Sequence, residues 1–375
     1  MSAVYDNWER LVEAVLKREQ FKQLALCESF SSSISADLSS RSSFSSSLED
    51  FSGSRISSNT IDPGAPSSTS SIPYREVQAI KFEEIKKATK NFQHDLIIGE
   101  GGFGRVYKGW IDERTLTASK PGSGKAVAVK KCRQDTFQGY KEWMKEIHYL
   151  SQLHHPNLVR LIGYCDKAEN WILVYEFMPK GSLDNHLFRR GHQSLPWETR
   201  IKVAIGAARA LSFLHDREIQ VIHRGFKCGD ILLDGEFNAK LSDFGLARDG
   251  PTGDMTHVST RVMGTYGCAA PEYVATGHLT AKCDVYGFGV VLLELLSGRR
   301  ALDANRATKE QNLMEWAKQY LGDKRKMLRI VDTTLEGQCT REAAYNVATL
   351  ALRCVSLEPK RRPRMAEVLV ALEQL

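Results

Sequence analysis

The sequence predicts an α+β fold in two lobes, a small and mostly antiparallel sheet followed by an α-rich lobe, with a disordered extension in front. Three observations carry this. Strand-like runs gather between residues 96 and 178, joined by loops. Beyond residue 179 the apolar residues recur instead at spacings of three and four, as on helices. A serine-dominated tract separates the first 28 residues from this body, which begins near residue 80. At 375 residues the chain is long for one core, so two lobes or domains plus a tail are expected.

Composition bounds the function classes. Hydrophobic residues at 42% and charged residues at 26% are ordinary for a soluble globular chain. A net charge of +6 is mild at this length: it permits weak attraction to anionic membranes or nucleic acid but does not argue for either. The basic cluster Lys360-Arg361-Arg362-Pro363-Arg364 reads as surface charge with one internal ion pair. Eight cysteines are scattered without C-x-x-C or metal-finger spacing, which suits free thiols in a reducing compartment. No apolar run approaches a membrane span, and Met1-Ser2-Ala3 opens no signal pattern. N-myristoylation requires glycine directly after the initiator methionine, where this chain has Ser2.

From Tyr5 to Leu26, Trp8, Leu11, Val12, Val15 and Leu16 recur at helical spacing with Arg10, Lys17, Arg18 and Lys22 between them. Two readings stand side by side, a membrane-surface or partner-binding helix and a helix that packs on the body. Cys27 at its end is a weak acylation signal. From Ser29 to Ser71 serine dominates and apolar residues are sparse, so burial cannot offset the ordering entropy. This is expected to be a disordered linker whose hydroxyls suit phosphorylation, with a turn at Asp62-Pro63-Gly64.

Phe82 to Thr89 reads as an amphipathic helix. Leu96-Ile97-Ile98 then runs into Gly99-Glu100-Gly101-Gly102-Phe103-Gly104, a G-x-G-x-x-G string. Alone the string is weak, since it also opens dinucleotide-binding units. Here a strand follows, Arg105 to Trp110, which favours a hairpin lid whose amides approach phosphates closely. Lys125 to Lys130 alternates as a strand ending in a candidate phosphate lysine. The next helix, Tyr140 to Gln152, places Glu146 to pair with Lys130. Strands over Leu158–Tyr164 and Trp171–Met178 complete the sheet. Pro179-Lys180-Gly181-Ser182-Leu183 breaks the pattern before a long amphipathic helix marked by Ile201, Ala204, Ile205, Ala208, Leu211 and Leu214. Val221 to Asp234 reads as strand, polar loop, strand. Asp243-Phe244-Gly245 follows at a hairpin's length, then a polar segment with Thr256, Ser259 and Thr260. The run Asp284 to Leu296 is apolar almost all round and is expected to be a buried helix. Helical segments around Trp316, Leu328, Leu350 and Leu369 finish the lobe.

From about Phe82 onward the chain resembles a serine/threonine protein kinase, and in detail the plant receptor-like cytoplasmic kinases of subfamily VII. The strings that carry the resemblance are Ala88-Thr89-Lys90-Asn91-Phe92, the Gly99–Gly104 lid, His155-Pro156-Asn157-Leu158-Val159, His223-Arg224, Asp243-Phe244-Gly245, Asp284-Val285-Tyr286 and Arg362-Pro363. It implies the bilobal protein-kinase fold. It also implies that Gly99, Gly101 and Gly104 cover ATP, that Val106, Ala128 and Leu232 sandwich the adenine, and that the Met178 backbone binds its edge. Lys130, held by Glu146, would contact the α- and β-phosphates, and Asp243 would hold Mg²⁺. Lys227 would approach the γ-phosphate, Tyr175 would stand at the gatekeeper position, and Arg224 would receive an activation-segment phosphate. Ser259, Thr260 and Thr265 are candidate phosphosites, and Glu272 and Arg362 a candidate ion pair.

The departures matter most. Where the resemblance leads one to expect the catalytic aspartate there is Gly225, and where it leads one to expect the metal-binding asparagine there is Asp230. Gly229, Cys268 and Gly287 depart as well, and most of these changes are one A-to-G base change from the expected residue. A general base typically supplies about 10²–10⁴-fold in rate. Asp230 remains a good Mg²⁺ ligand and, on a position facing the metal, is not expected to replace the base. The sequence is therefore read first as an ATP- and Mg²⁺-binding pseudokinase, a scaffold or decoy in plant receptor (immune) signalling. The alternative is an active or weakly active Ser/Thr kinase. Receptor-like kinases or other signalling proteins are the expected partners. The expected location is cytoplasmic, with the first helix as the candidate for peripheral attachment at the plasma membrane. The expected domains are 1–28 (amphipathic helix), 29–75 (linker) and 80–375 (kinase-like domain, lobes about 80–178 and 179–375).

Overall fold

The computed structural model describes residues 77–375, apart from 103, 134–136, 168–169, 189–193 and 322–323. The expected N-terminal helix, Cys27, the serine-rich linker and Phe103 of the glycine lid lie outside the described residues. All that follows concerns the compact unit Ser71–Leu375.

The small lobe begins with strand β1 (Gln78–Ala79) and helix α1 (Phe82–Ala88), whose Ile85 and Ala88 are buried. Strands β2 (Ile97–Gly101), β3 (Gly104–Ile111) and β4 (Lys125–Cys132) follow, then helix α2 (Phe137–Leu150) and strands β5 (Leu161–Cys165) and β6 (Ile172–Glu176). The six strands lie in the order β1-β5-β6-β4-β3-β2. Only the β1–β5 pairing is parallel, so the sheet is mostly antiparallel as expected. Alternation decides its faces: Tyr107, Val127, Val129, Ile172 and Val174 turn inward onto Ile85 and Ile80. Each such side chain contributes about 1.5–3 kcal/mol by leaving water. Helix α2 covers the other face, with Trp143 inserted and its indole N–H donating to Ile172 O at 3.2 Å.

One strand begins later than its composition predicts. Leu158 and Val159 are apolar and β-prone, yet the sheet takes over only at Leu161. The reason is a competing partner. Leu158 bridges to Leu241, and the Val159 N–H donates to Leu241 O at 3.0 Å, which ties this segment to the large lobe.

In the large lobe, α3 (Leu183–Phe188) and α4 (Trp197–His215) precede the short strands β7 (Val221–Ile222), β8 (Ile231–Leu233), β9 (Ala239–Leu241), β10 (Arg248–Asp249) and β11 (Val258–Ser259). Then come α5 (Pro271–Thr276), β12 (His278–Leu279), α6 (Ala281–Ser297), α7 (Leu313–Leu321), α8 (Lys324–Met327), α9 (Arg341–Cys354) and α10 (Met365–Glu373). Helix α6 is the apolar run read as a buried helix, and its Val285 and Phe288 through Leu296 are buried. Thr280 caps its start by accepting from Lys282 N, and Gly298 ends it in the left-handed region at φ 64°, where a Cβ would lie 2.5 Å from Asp332 Oδ2. Arg200 on α4 is buried and donates to Leu295 O and Asp332 Oδ2, each at 2.6 Å, so α4 is bolted to the end of α6. Among the described residues no helix is long and apolar enough to cross a membrane, and the cysteines form no disulfide.

Candidate functional site

The glycine lid is the β2–β3 hairpin. Gly104 sits at φ 129°, and a Cβ there would fall 2.1 Å from Lys131 O, so the close pairing with β4 needs glycine at this position. A Cβ at Gly101 would meet open space, and one at Gly99 would lie 3.9 Å from Val106 Cβ. In register, Val106 stands opposite Lys130, and Ala128 lies between Lys108 and Tyr175. Leu232 is on β8, bridged to Ser182, and the Met178 carbonyl accepts the Gly181 N–H at 3.1 Å in the turn that leaves the sheet.

Lys130 ends the alternating run of β4 with its side chain almost enclosed. Its ammonium donates to Glu146 Oε1 and lies 3.2 Å from Asp243 Oδ1. Glu146 is held a second time, because the Tyr175 hydroxyl donates to its Oε2. Burial pulls the Lys130 pKa down, but Glu146 and Asp243 more than offset it and hold the group well above its usual range. Burial pushes the Glu146 carboxyl up against the pull of Lys130. For Asp243, Lys130 and Lys227 outweigh burial and keep the carboxyl below its ordinary value.

Asp243 occupies the left-handed region at φ 65°, as does Arg224 at φ 74°. Non-glycine residues adopt this region rarely and at a cost of about 1–3 kcal/mol, so both are held there by their surroundings. Behind Asp243, Phe244 is fully buried with its ring 5.2 Å from that of His223. Gly245 abuts α2 so closely that a Cβ would lie 2.9 Å from Glu142 Cβ. The Asp243 segment and the Glu146 helix are therefore packed as one piece.

The loop between β7 and β8 presents Gly225, Lys227 and Asp230 to a cavity of about 250 Å³, shared with His223, Asp243, Leu246 and Thr265. Gly225 is not in the left-handed region, and a Cβ there would meet only Leu246 Cδ1, at 3.5 Å. Nothing in the backbone demands glycine. Lys227 Nζ lies 2.5 Å from Asp230 Oδ1 and 4.0 Å from Asp243 Oδ2. Burial pulls the Lys227 pKa down, but Asp230 and Asp243 leave it raised; burial pushes the Asp230 carboxyl up to about 6. Asp230 Oδ2 and His223 Nδ1 are buried without a hydrogen-bond partner. The other departures differ in room. A Cβ at Gly229 would have 3.6 Å to its nearest neighbour, whereas one at Gly287 would lie 3.0 Å from Phe226 O.

One arrangement was not visible in the sequence. Asp284, at the head of α6, accepts from the backbone N–H groups of His223 and Arg224, each at 2.8 Å, and lies 2.9 Å from His215 Nε2. The only sequence signal is a carboxylate opening an otherwise apolar helix. Arg224 reaches the segment expected to be phosphorylated: it donates to Thr260 Oγ1 at 3.0 Å, to Arg261 O and to the Tyr273 hydroxyl at 2.9 Å. Ser259 lies on β11, and Thr265 lines the cavity. The expected ion pair is bidentate: Arg362 contacts Glu272 Oε1 and Oε2, each at 2.6 Å, with no side-chain exposure of the arginine.

The arrangement is a buried lysine–glutamate pair beside two carboxylates, under a glycine hairpin. It can bind a phosphate chain and a divalent cation together. Comparison with known proteins bears on this geometry. The family model described as protein tyrosine and serine/threonine kinase matches residues 92–372. The chain is 60% identical over 340 residues to probable serine/threonine-protein kinase PBL3 of Arabidopsis thaliana, covering 86% of this chain and 80% of that protein. It is 57% identical over 326 residues to receptor-like cytoplasmic kinase 176 of Oryza sativa subsp. japonica, covering 86% and 82%. It is also 57% identical over 324 residues to serine/threonine-protein kinase BIK1 of Arabidopsis thaliana, again covering 86% and 82%.

Proposed function

The chain belongs to the protein tyrosine and serine/threonine kinase family, and from that premise we propose that it is a receptor-like cytoplasmic kinase that binds ATP with Mg²⁺ and phosphorylates serine or threonine in protein substrates, at a reduced rate. The observation that carries the proposal is the assembled trio of Lys130, Glu146 and Asp243 beside a cavity that ends at Gly225. The residues fit the nucleotide and its cation. Asp243 and Asp230 face one cavity, and Asp230 Oδ2 is buried without a partner. Two carboxylates are what Mg²⁺ takes when phosphates and water supply its other ligands. Mg²⁺ when bound neutralises charge on the phosphates. Lys130 orients the phosphate chain, Glu146 and Tyr175 fix Lys130, and the Gly99–Gly104 hairpin closes over the site.

What is missing is a carboxylate to orient the substrate hydroxyl and take its proton. Positioning and electrostatics account for most of phosphoryl transfer. The loss is therefore set at the general-base contribution, about 10²–10⁴-fold. The serine/threonine kinase names of the relatives favour this weakened enzyme over the pure scaffold that Gly225 suggests in the sequence. Receptor-like kinases or other signalling proteins remain the proposed partners, immune signalling the proposed setting, and the cytoplasm the proposed location, with residues 1–28 as the segment that would touch the plasma membrane.

The test is radiolabel transfer from Mg-ATP to a generic serine/threonine protein substrate by the full chain, with Lys130→Ala alongside. Weak transfer that Lys130→Ala abolishes is the expected result. Mg-ATP binding with no transfer would favour the scaffold, and no Mg-ATP-dependent rise in melting temperature would defeat both readings.

A further inference from the structure

We propose that Asp230 is the positioning residue for Lys227: it supplies the anchoring carboxylate that position 225 lacks, and positions 225 and 230 function as a matched pair. For its catalytic arm the proposal rests on the reading of the chain as an ATP-binding kinase; its stability arm stands apart from that reading.

Lys227 and Asp230 stand at the two ends of the 3₁₀ turn Cys228–Asp230, which brings side chains three apart onto one side. Lys227 Nζ is 2.5 Å from Asp230 Oδ1, and the next carboxylate, Asp243, is at 4.0 Å. Asp230 is 3% exposed, so its carboxylate sits away from water, where an unpaired charge is costly, while the Lys227 side chain, 31% exposed, reaches it from the cavity. Gly225 opens on the same cavity and contributes no group to it.

The charges around this site are countable. Two ammonium groups, Lys130 and Lys227, face three carboxylates, Glu146, Asp230 and Asp243. The pattern the family resemblance leads one to expect has aspartate at 225 and an amide at 230. Exchanging the first for glycine and the second for aspartate leaves the number of carboxylates unchanged and moves one of them. Lys227 keeps an anchor, while the substrate hydroxyl loses its acceptor. Restoring aspartate at 225 alone would not return the expected site. It would place a fourth carboxylate against two ammonium groups in a shared cavity, where like charges disfavour one another. Size is no obstacle, since a Cβ at 225 meets only Leu246 Cδ1, at ordinary contact distance.

Four full-length proteins test this: native, Gly225→Asp, Asp230→Asn and the double variant. Melting temperature is read without nucleotide, Mg-ATP affinity by calorimetry, and transfer by radiolabel. Gly225→Asp alone is expected to lower the nucleotide-free melting temperature by about 4 °C or more and to raise transfer by less than about 10-fold. The double variant is expected to recover the native melting temperature and to raise transfer by about 10²–10⁴-fold. Asp230→Asn alone is expected to weaken Mg-ATP binding by about 10-fold, as one lost charged contact would. Gly225→Asn supplies bulk without charge and should melt within about 1 °C of the native chain; it decides the matter if Gly225→Asp does not fold. Additive effects of the two changes would overturn the proposal. So would an equal loss in Gly225→Asn, which would assign the effect to size. If the native chain does not bind Mg-ATP, the proposed function falls, and the nucleotide-free melting temperatures still decide the pairing of 225 and 230.

Discussion

Replacing Tyr175 with phenylalanine removes one oxygen and isolates the second contact on Glu146. Glu146 is 1% exposed, with Oε1 taken by Lys130 and Oε2 by the Tyr175 hydroxyl. In Tyr175→Phe, Oε2 is left buried and unpaired, while the ring and the sheet register are unchanged. A hydrogen bond to a charged group is worth about 1.5–3 kcal/mol. For a domain of this size about 2 °C of melting temperature accompanies each kcal/mol, so a fall of about 3–6 °C is expected. The same change loosens the partner of Lys130, so Mg-ATP affinity should fall as well, by about 3–10-fold. Differential scanning fluorimetry with and without Mg-ATP reads both quantities. A variant that melts within about 1 °C of the native chain and binds nucleotide equally well would refute the argument that Tyr175 holds Glu146 in place.

Arg362→Ala should lower the melting temperature by about 6 °C, from about 3 kcal/mol, because a fully buried guanidinium is lost from Glu272; Glu272 keeps some solvent contact, which sets the loss at the low end of the range. Glu294→Gln should flatten the dependence of stability on pH. Burial pushes the Glu294 carboxyl up to about 7 from 4.5, so the folded chain keeps a proton that the unfolded chain gives up. That stabilisation is complete below pH 4.5 and is lost as pH rises to about 7, amounting to on the order of 3 kcal/mol. Asp230 adds a loss of the same sign between 3.8 and about 6, so part of the slope should survive the substitution. Chemical denaturation across pH 4.5–8 measures it, and an unchanged slope would count against a buried, protonated Glu294. Gly104→Ala should cost more than about 2 kcal/mol in stability, since its Cβ would press on Lys131 O in a disallowed backbone region.

The local parts of this molecule were legible because their signals are local. Alternation gave β4 as far as Lys130, two residues short of its end at Cys132, and the glycine string followed by a strand gave the hairpin. Glu146 lay one helix further on, and the apolar run of α6 announced its own burial. The late start of β5 was hidden, because Leu158 and Val159 choose a partner, Leu241, more than 80 residues away. The pairing of Lys227 with Asp230 was hidden for another reason. Residue type marks Asp230 as a metal ligand, and only the 3₁₀ turn shows that its Oδ1 is already taken by Lys227. Glu294, inside an apolar helix, reads as an intrusion until Cys228 Sγ and the Ala301 N–H are found beside it, at 3.0 and 2.8 Å.

The grip of Asp284 on the backbone of His223 and Arg224 means that the loop is shaped from below, by a carboxylate on a buried helix. Residue 225 then inherits its position and does not create it. A position whose geometry is underwritten elsewhere can vary its chemistry without redrawing the loop. A change at 225 is therefore felt through the charges it meets at 230 and 243 and not through the path of the chain, so the reaction is dimmed or restored only when positions 225 and 230 change together.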